Sequence, residues 1–165
     1  MTGVDTRTRD ARAPWIAMAA AAVVVFGLDL LTKTLVRSRI LPGEIVDVLP
    51  GIDLTHTTNR GIAFGLFPDR QRIVAVFTAI VLCGVAVLLI RTTHRSMVGM
   101  IAAGALVGGA IGNLLDRLRR DGVTDFIDIL SWPPFNIADI GVVVGAAVLA
   151  LSLTTTRADE QPRTD

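Results

Sequence analysis

Tyrosine is absent from this chain of 165 residues, cysteine occurs once and histidine twice. A single cysteine excludes a disulfide framework and a cysteine-rich metal knuckle. Two histidines, His56 and His94, leave a zinc hydrolase short of ligands. Charge is scarce as well: 19% of residues are charged, where a soluble domain averages about 25%. The formal net charge of +1 offers no basic or acidic field, so nothing argues for nucleic acid as a partner. What the chain has in quantity is apolar residues, at 52%, with a mean hydropathy of +0.59. Disorder and a secreted mini-scaffold are excluded, and a small single-domain membrane protein remains.

The apolar residues fall in long uncharged runs. Pro14 to Leu28, Ile73 to Ile90, Ser96 to Leu115 and Ile140 to Thr156 contain no charged side chain. A helix rising 1.5 Å per residue needs roughly 20 residues to cross a hydrocarbon core of about 30 Å. The pattern therefore predicts an all-α integral membrane fold with four transmembrane helices, at about 14–36, 71–91, 96–117 and 137–156. Arg7, Arg9 and Arg12 before the first run also suit a signal peptide. No small-residue cleavage pattern follows that run, so a retained helix is expected. The stretch 37–70 is the long connection, and 157–165 is a polar tail. Within the connection, two β-prone segments flank Pro50-Gly51 and predict a β-hairpin. Gly104, Gly108 and Gly112 recur at four-residue spacing, as do Gly141 and Gly145. Such stripes let membrane helices approach closely, here more within one bundle than between copies, which makes helix three the most buried. Cys83, midway along helix two, is expected as a packing residue.

Helices that alternate in direction bring the end of the first, the end of the third and the start of the fourth to one membrane face. Asp29, Thr32 and Lys33 lie there, with Asn59 and Arg60 in the long loop and Asn113, Asp116 and Arg117 ending helix three. Asp125 and Asp128 follow in the next loop, and Asn136 and Asp139 open helix four. An ionised side chain deep in lipid costs at least about 2.5–3.5 kcal/mol on insertion scales, so several at one depth suggest a shared polar pocket. Ordinary helix-end ion pairs, Asp29 with Lys33 and Asp116 with Arg117, are the plainer reading of those four. Asp139 also suits a helix N-terminus as a structural carboxylate. The pocket holds no cysteine, histidine pair or G-x-S-x-G motif, so nucleophilic triads lack their parts. It does hold carboxylates. Two close carboxylates share a proton, one acting as base towards water while the other stays an acid. Asp125 and Asp139 are suited to amide hydrolysis of that kind at a membrane surface. A proton or cation relay through Asp29, Asp116 and Asp139 is the rival, and it predicts carboxylates spread through the membrane depth. A purely structural four-span subunit is another, and it requires no paired aspartates.

At these residues the sequence resembles the lipoprotein signal peptidases, or signal peptidase II. Asp29-Leu-Leu-Thr-Lys33 is similar to that family's D-x-x-T/S-K, and Asn59-Arg-Gly61-Ile62-Ala-Phe64-Gly65 to its N-x-G-A-A/S-F loop, with Ile62 in place of the usual alanine. Gly108 to Arg117 resembles its G-G-A-x-G-N-x-x-D-R stretch. Val123 to Ile127 and Phe135 to Asp139 resemble the two segments that carry its aspartates. The resemblance implies an aspartic endopeptidase with Asp125 and Asp139 as catalytic dyad. It implies that Asp29, Lys33, Asn59, Gly61, Asn113, Asp116, Arg117 and Asn136 support the pocket and position substrate. The implied substrate is a diacylglyceryl-modified bacterial prolipoprotein, cut N-terminal to its lipidated cysteine. The implied enzyme is a globomycin-sensitive monomer in membrane lipid that uses no metal or other cofactor, with a small β-cradle at the membrane surface. Lys and Arg divide nearly evenly between the two faces, so charge bias does not orient the chain. The resemblance implies the bacterial inner membrane, both termini cytoplasmic and the active site on the outer face.

Overall fold

The computed structural model describes residues 6–61, 71–91, 96–120, 122–130 and 132–159. Ile62, Phe64 and Gly65 of the long loop, His94 of the short one and the last residues of the tail lie outside them. In chain order the elements are α1 (Thr6–Arg39), β1 (Ile45–Leu49), β2 (Ile52–Asn59), α2 (Gln71–Arg91), α3 (Met97–Arg119), β3 (Val123–Ile129) and α4 (Ile137–Asp159).

α3 is the centre of the molecule and packs against both α1 and α4. Its buried face includes Met100, Ala102, Ala103 and Leu106, which join Leu149 of α4 and Val85 of α2 in one core. The glycine stripe explains how close the helices come. A side chain at Gly104 or Gly108 would collide with the backbone carbonyls of Met18 and Ala22 on α1. One at Gly109 would collide with the carbonyl of Ala138 on α4. The stripe therefore packs within the chain. α3 begins on Ser96, whose hydroxyl accepts from the Gly99 N–H at 3.0 Å. Losing such a cap costs about 1 kcal/mol. Ser96→Ala should therefore lower the melting temperature by a few degrees, and a thermal melt checks it. Ser96 sits at the opposite end of α3 from the polar cluster, which should be undisturbed.

The distribution of polarity is inverted relative to a water-soluble domain. Ile16, Val23, Val24, Leu31, Val143 and Leu151 are exposed on the outer surfaces of α1 and α4, whereas Asp29 and Lys33 are buried. Among the described residues two helices are long and apolar enough to cross a membrane, Arg12–Arg39 and Met97–Arg119. The apolar part of α4, Ile137–Ser152, is shorter. Cys83 is exposed on α2, not packed in the bundle as the sequence suggested.

The hairpin is present, but it is only part of the sheet. β1 and β2 pair antiparallel, and β3, which follows α3, adds to the other edge of β2 to give the order β1-β2-β3. An all-α fold with a hairpin insert is thus corrected to a helical fold with a three-stranded antiparallel sheet. The segment 123–129 pairs because β2 offers it an open edge, and its β-branched residues suit that edge. The β2–β3 register sets Thr57 opposite Asp125 and Asn59 opposite Val123, with a bulge between Leu54 and Thr57. Bulges of this kind re-aim side chains beside functional sites. Gly122 turns the chain from α3 into β3 with φ +152°, and a Cβ there would sit 2.7 Å from the Asn59 carbonyl oxygen. Only glycine fits both demands.

Candidate active site

Asp125 enters from β3 and Asp139 from the first turn of α4. Asn136, fully buried, joins them. Its side-chain N–H donates to Asp125 Oδ1 at 2.6 Å, while its Oδ1 accepts from the Asp139 backbone N–H at 2.9 Å. The Asn136 backbone N–H in turn donates to Asp139 Oδ2 at 3.1 Å. Asn136 and Asp139 thus form a reciprocal cap on α4, an N-x-x-D version of the capping box. The helix start and the second aspartate are positioned by the same pair of bonds.

The remaining oxygens are also occupied. Asn59, at the end of β2, donates to Asp125 Oδ2 at 2.9 Å, and its own Oδ1 accepts from the Gly61 N–H at 2.9 Å. Asn113, on α3, donates to Asp139 Oδ1 at 2.8 Å. Arg117, one turn further on, donates to the carbonyls of Asn113 and Gly61, each at 3.3 Å. Its charge acts on both aspartates.

Behind this layer lies a buried ionic cluster. Lys33 Nζ is 2.7 Å from Asp29 Oδ2, 3.4 Å from Asp116 Oδ2 and 2.8 Å from Asn113 Oδ1. Asp29 Oδ1 accepts the Ala138 N–H of α4 at 2.9 Å, which ties α1 to the α4 start. Asp116 does not pair with its neighbour Arg117. Its cations are Lys33, Arg37 and Arg120. It also accepts the Thr124 N–H at 3.3 Å, and Arg37 donates to the Thr124 hydroxyl at 3.1 Å, so β3 is anchored immediately before Asp125.

The structure therefore brings together Asp29, Lys33, Asn59, Gly61, Asn113, Asp116, Arg117, Asp125, Asn136 and Asp139. Asp128 is not among them; it faces Asp53 further along the sheet. Thr32 bonds to the carbonyls of Leu28 and Asp29 in its own helix. Arg37, Arg120 and Thr124 escaped sequence reasoning. Arg37 continues the four-residue spacing of Asp29 and Lys33, and Arg120 lies four residues after Asp116, so both had a helical signal. Thr124 had none without the register of β3.

Burial, reinforced by the nearby charge of Asp139, raises the Asp125 carboxyl from its ordinary value of 3.8 to about 7. The bonds from Asn59 and Asn136 and the charge of Lys33 oppose that rise. A buried carboxyl with a raised proton affinity, hydrogen-bonded beside a second carboxylate, is the equipment of acid–base chemistry.

The fold is that of a bacterial membrane enzyme. A structure of one such enzyme, solved by the in meso method at 2.3 Å, superposes with a TM-score of 0.81 at 25% identity, over 90% of this chain and 93% of that one. A second, at 1.9 Å, gives 0.74 at 28% identity, over 82% and 91%. The signal peptidase (SPase) II family model matches residues 21–155. The chain is also similar to the lipoprotein signal peptidases of Halothermothrix orenii and Pelotomaculum thermopropionicum. The first is 38% identical over 79% of this chain and 90% of the relative, the second 40% identical over 79% and 86%. The chain belongs to the signal peptidase II family, and that family is a family of proteases.

Proposed function

We propose that this protein is a four-span aspartic endopeptidase that removes the signal peptide of diacylglyceryl-modified prolipoproteins, cutting on the N-terminal side of the lipidated cysteine. The observation that carries the reading is the pairing of Asp125 with Asp139 through the single side chain of Asn136. In the working state Asp125 is protonated and Asp139 ionised. Asp139 takes a proton from water as its oxygen attacks the scissile carbonyl, and Asp125 gives its proton to the carbonyl oxygen. The tetrahedral diol then collapses, its hydroxyl proton returns to Asp125, and Asp139 delivers its proton to the departing amine. Arg117 and the backbone near Gly61 orient the peptide. The carboxylates gather at one end of the helix bundle, which favours hydrolysis at the membrane surface over a relay across it. The enzyme works as a monomer in lipid, with both termini cytoplasmic and the dyad at the outer face of the inner membrane. The test is direct: purified enzyme, a diacylglyceryl-modified prolipoprotein, and mass analysis of the products. A product beginning at the lipidated cysteine supports the reading, and an intact substrate refutes it.

The acid role of Asp125 has a pH signature. Its carboxyl is raised to about 7, so the proton it must donate is present below that pH and lost above it. kcat/KM should therefore fall about tenfold per pH unit above roughly pH 7 to 8. A profile in a fixed lipid mixture checks this, and a rate that stays level to pH 9 would remove Asp125 from the acid role.

A further inference from the structure

Lys33 is only 1% exposed and reaches three oxygens, on Asp29, Asn113 and Asp116. An ammonium group donates and never accepts. The atom of Asn113 that faces Lys33 must therefore be its carbonyl oxygen, and its NH₂ must point the other way, onto Asp139 Oδ1 at 2.8 Å. Asn136 also donates to that same Asn113 oxygen, at 3.2 Å, which reinforces the orientation. A second path runs from Lys33 through Asp116 to the Thr124 N–H, one residue before Asp125. One buried cation thus reaches Asp139 through a fixed amide, and the residue before Asp125 through a fixed carboxylate, and contacts neither aspartate itself.

The two ends of these paths differ. Each aspartate receives an N–H on each oxygen, Asp125 from Asn136 and Asn59, and Asp139 from Asn113 and the Asn136 backbone. But Asp125 is buried in a strand, whereas Asp139 is half-buried in the first turn of a helix, where negative charge is favoured. The groups facing the pair are Asp29 and Lys33 from α1, Asn113, Asp116 and Arg117 from α3, and each aspartate's partner from β3 or α4. Arg117 acts on both aspartates, so it does not distinguish them. The charge of Lys33 reaches Asp125 as well, but its hold on the Asn113 amide bears on Asp139 alone.

We propose that Lys33 is the positioning residue that decides which aspartate of the pair carries the proton, by locking the Asn113 amide with its NH₂ towards Asp139. The proposal rests on the dyad reading and adds to it. Without Lys33 only the 3.2 Å bond from Asn136 holds the Asn113 oxygen. An amide that turns over sets an oxygen against Asp139, which disfavours the singly ionised pair the reaction needs. The acid limb of the pH–rate profile then moves upward.

Lys33→Met alone strands Asp29 and Asp116 without their shared cation and would test folding more than positioning. D29N/K33M removes one charge of each sign and keeps an oxygen for the Ala138 N–H. Full-length enzyme in lipid, with a diacylglyceryl-modified prolipoprotein, is assayed across pH and melted in parallel. The expected double variant melts cooperatively and holds KM within about threefold, while kcat falls at least about tenfold and the acid limb rises by about one pH unit. A cooperatively folded double variant with the wild-type kcat and acid limb overturns the proposal. If the double variant does not fold, Asn113→Leu cuts the same path and leaves the ions of α1 and α3 paired. The same upward limb is expected there, and an unmoved limb overturns the proposal. Asp125→Asn in the wild-type background separates the two ideas. Cleavage surviving that change refutes the dyad itself, whereas a dead Asp125→Asn beside an unmoved limb refutes only the role of Lys33.

Discussion

Asp139→Asn and Asp125→Asn should each lower cleavage of a diacylglyceryl-modified prolipoprotein by about 10⁴-fold, at the upper end of what acid–base catalysis contributes. The substitution is nearly isosteric, so the loss falls on proton transfer. At position 139 the amide oxygen can still accept the Asn136 N–H and keep the α4 cap, but its NH₂ then meets the NH₂ of Asn113. Asn113 is not free to turn, because Lys33 holds its oxygen. That donor–donor clash costs about 1–3 kcal/mol, a modest fall in melting temperature. At position 125 the amide meets a donor from Asn59 or Asn136 with a similar penalty, but the substitution also removes the charge conflict with Asp139. Because burial and Asp139 raise the Asp125 carboxyl, wild-type stability falls as pH climbs from the ordinary carboxylate range and the loss is complete above about 7. Asp125→Asn should therefore gain on wild type as pH rises from about 4 to about 7 in thermal melts, and hold that gain above. Robust cleavage by either folded variant would move the chemistry elsewhere in the polar cluster.

Gly109→Ala should damage both stability and turnover, because the added methyl group strikes the helix start that carries the second aspartate. The new Cβ would collide with the Ala138 carbonyl and lie 3.2 Å from Val142 Cγ2, so the contact is largely with backbone and has no flexible end to yield. Overpacking of this sort costs about 1–3 kcal/mol and sometimes more. The displaced element is the first turn of α4, which carries Asn136 and Asp139, and a misplacement near 1 Å can cost about 10²-fold in rate. Both melting temperature and kcat should fall together. Gly84→Ala on α2 is the comparison, since nothing lies within 4 Å of its added Cβ and helix propensity favours alanine. It should melt at or slightly above wild type with unchanged turnover. Equal behaviour of the two variants in parallel melts and assays would undo the packing account.

Much of this was legible in the residues. Uncharged runs mark the helices, the Gly104-Gly108-Gly112 spacing marks the central one, and Pro50-Gly51 marks the hairpin turn. The polar residues of the cluster could be collected from helix direction alone. Their wiring could not. Asp29 and Lys33 do form the expected helix-end pair, but Asp116 turns away from Arg117 to Lys33, because a cation from α1 is packed against it in the interior. The segment 123–129 has β-branched residues but only a single local bridge, to Phe135, so its identity as a strand depends on β2. Asn136-Ile-Ala-Asp139 carries a capping signature, yet a cap gives no hint that its asparagine also donates to Asp125.

The sheet order has a consequence for biogenesis. β2 pairs on one side with β1, its immediate neighbour in sequence, and on the other with β3, which emerges only after α2 and α3 have been made. A growing chain therefore carries a half-finished sheet with an open edge while two further helices are made, and open edges invite pairing with other chains. β3, arriving late, closes that edge and delivers Asp125 in the same event, with Asp139 following at the start of the last helix. A chain interrupted before α4 thus has its sheet and Asp125 in place but lacks Asp139.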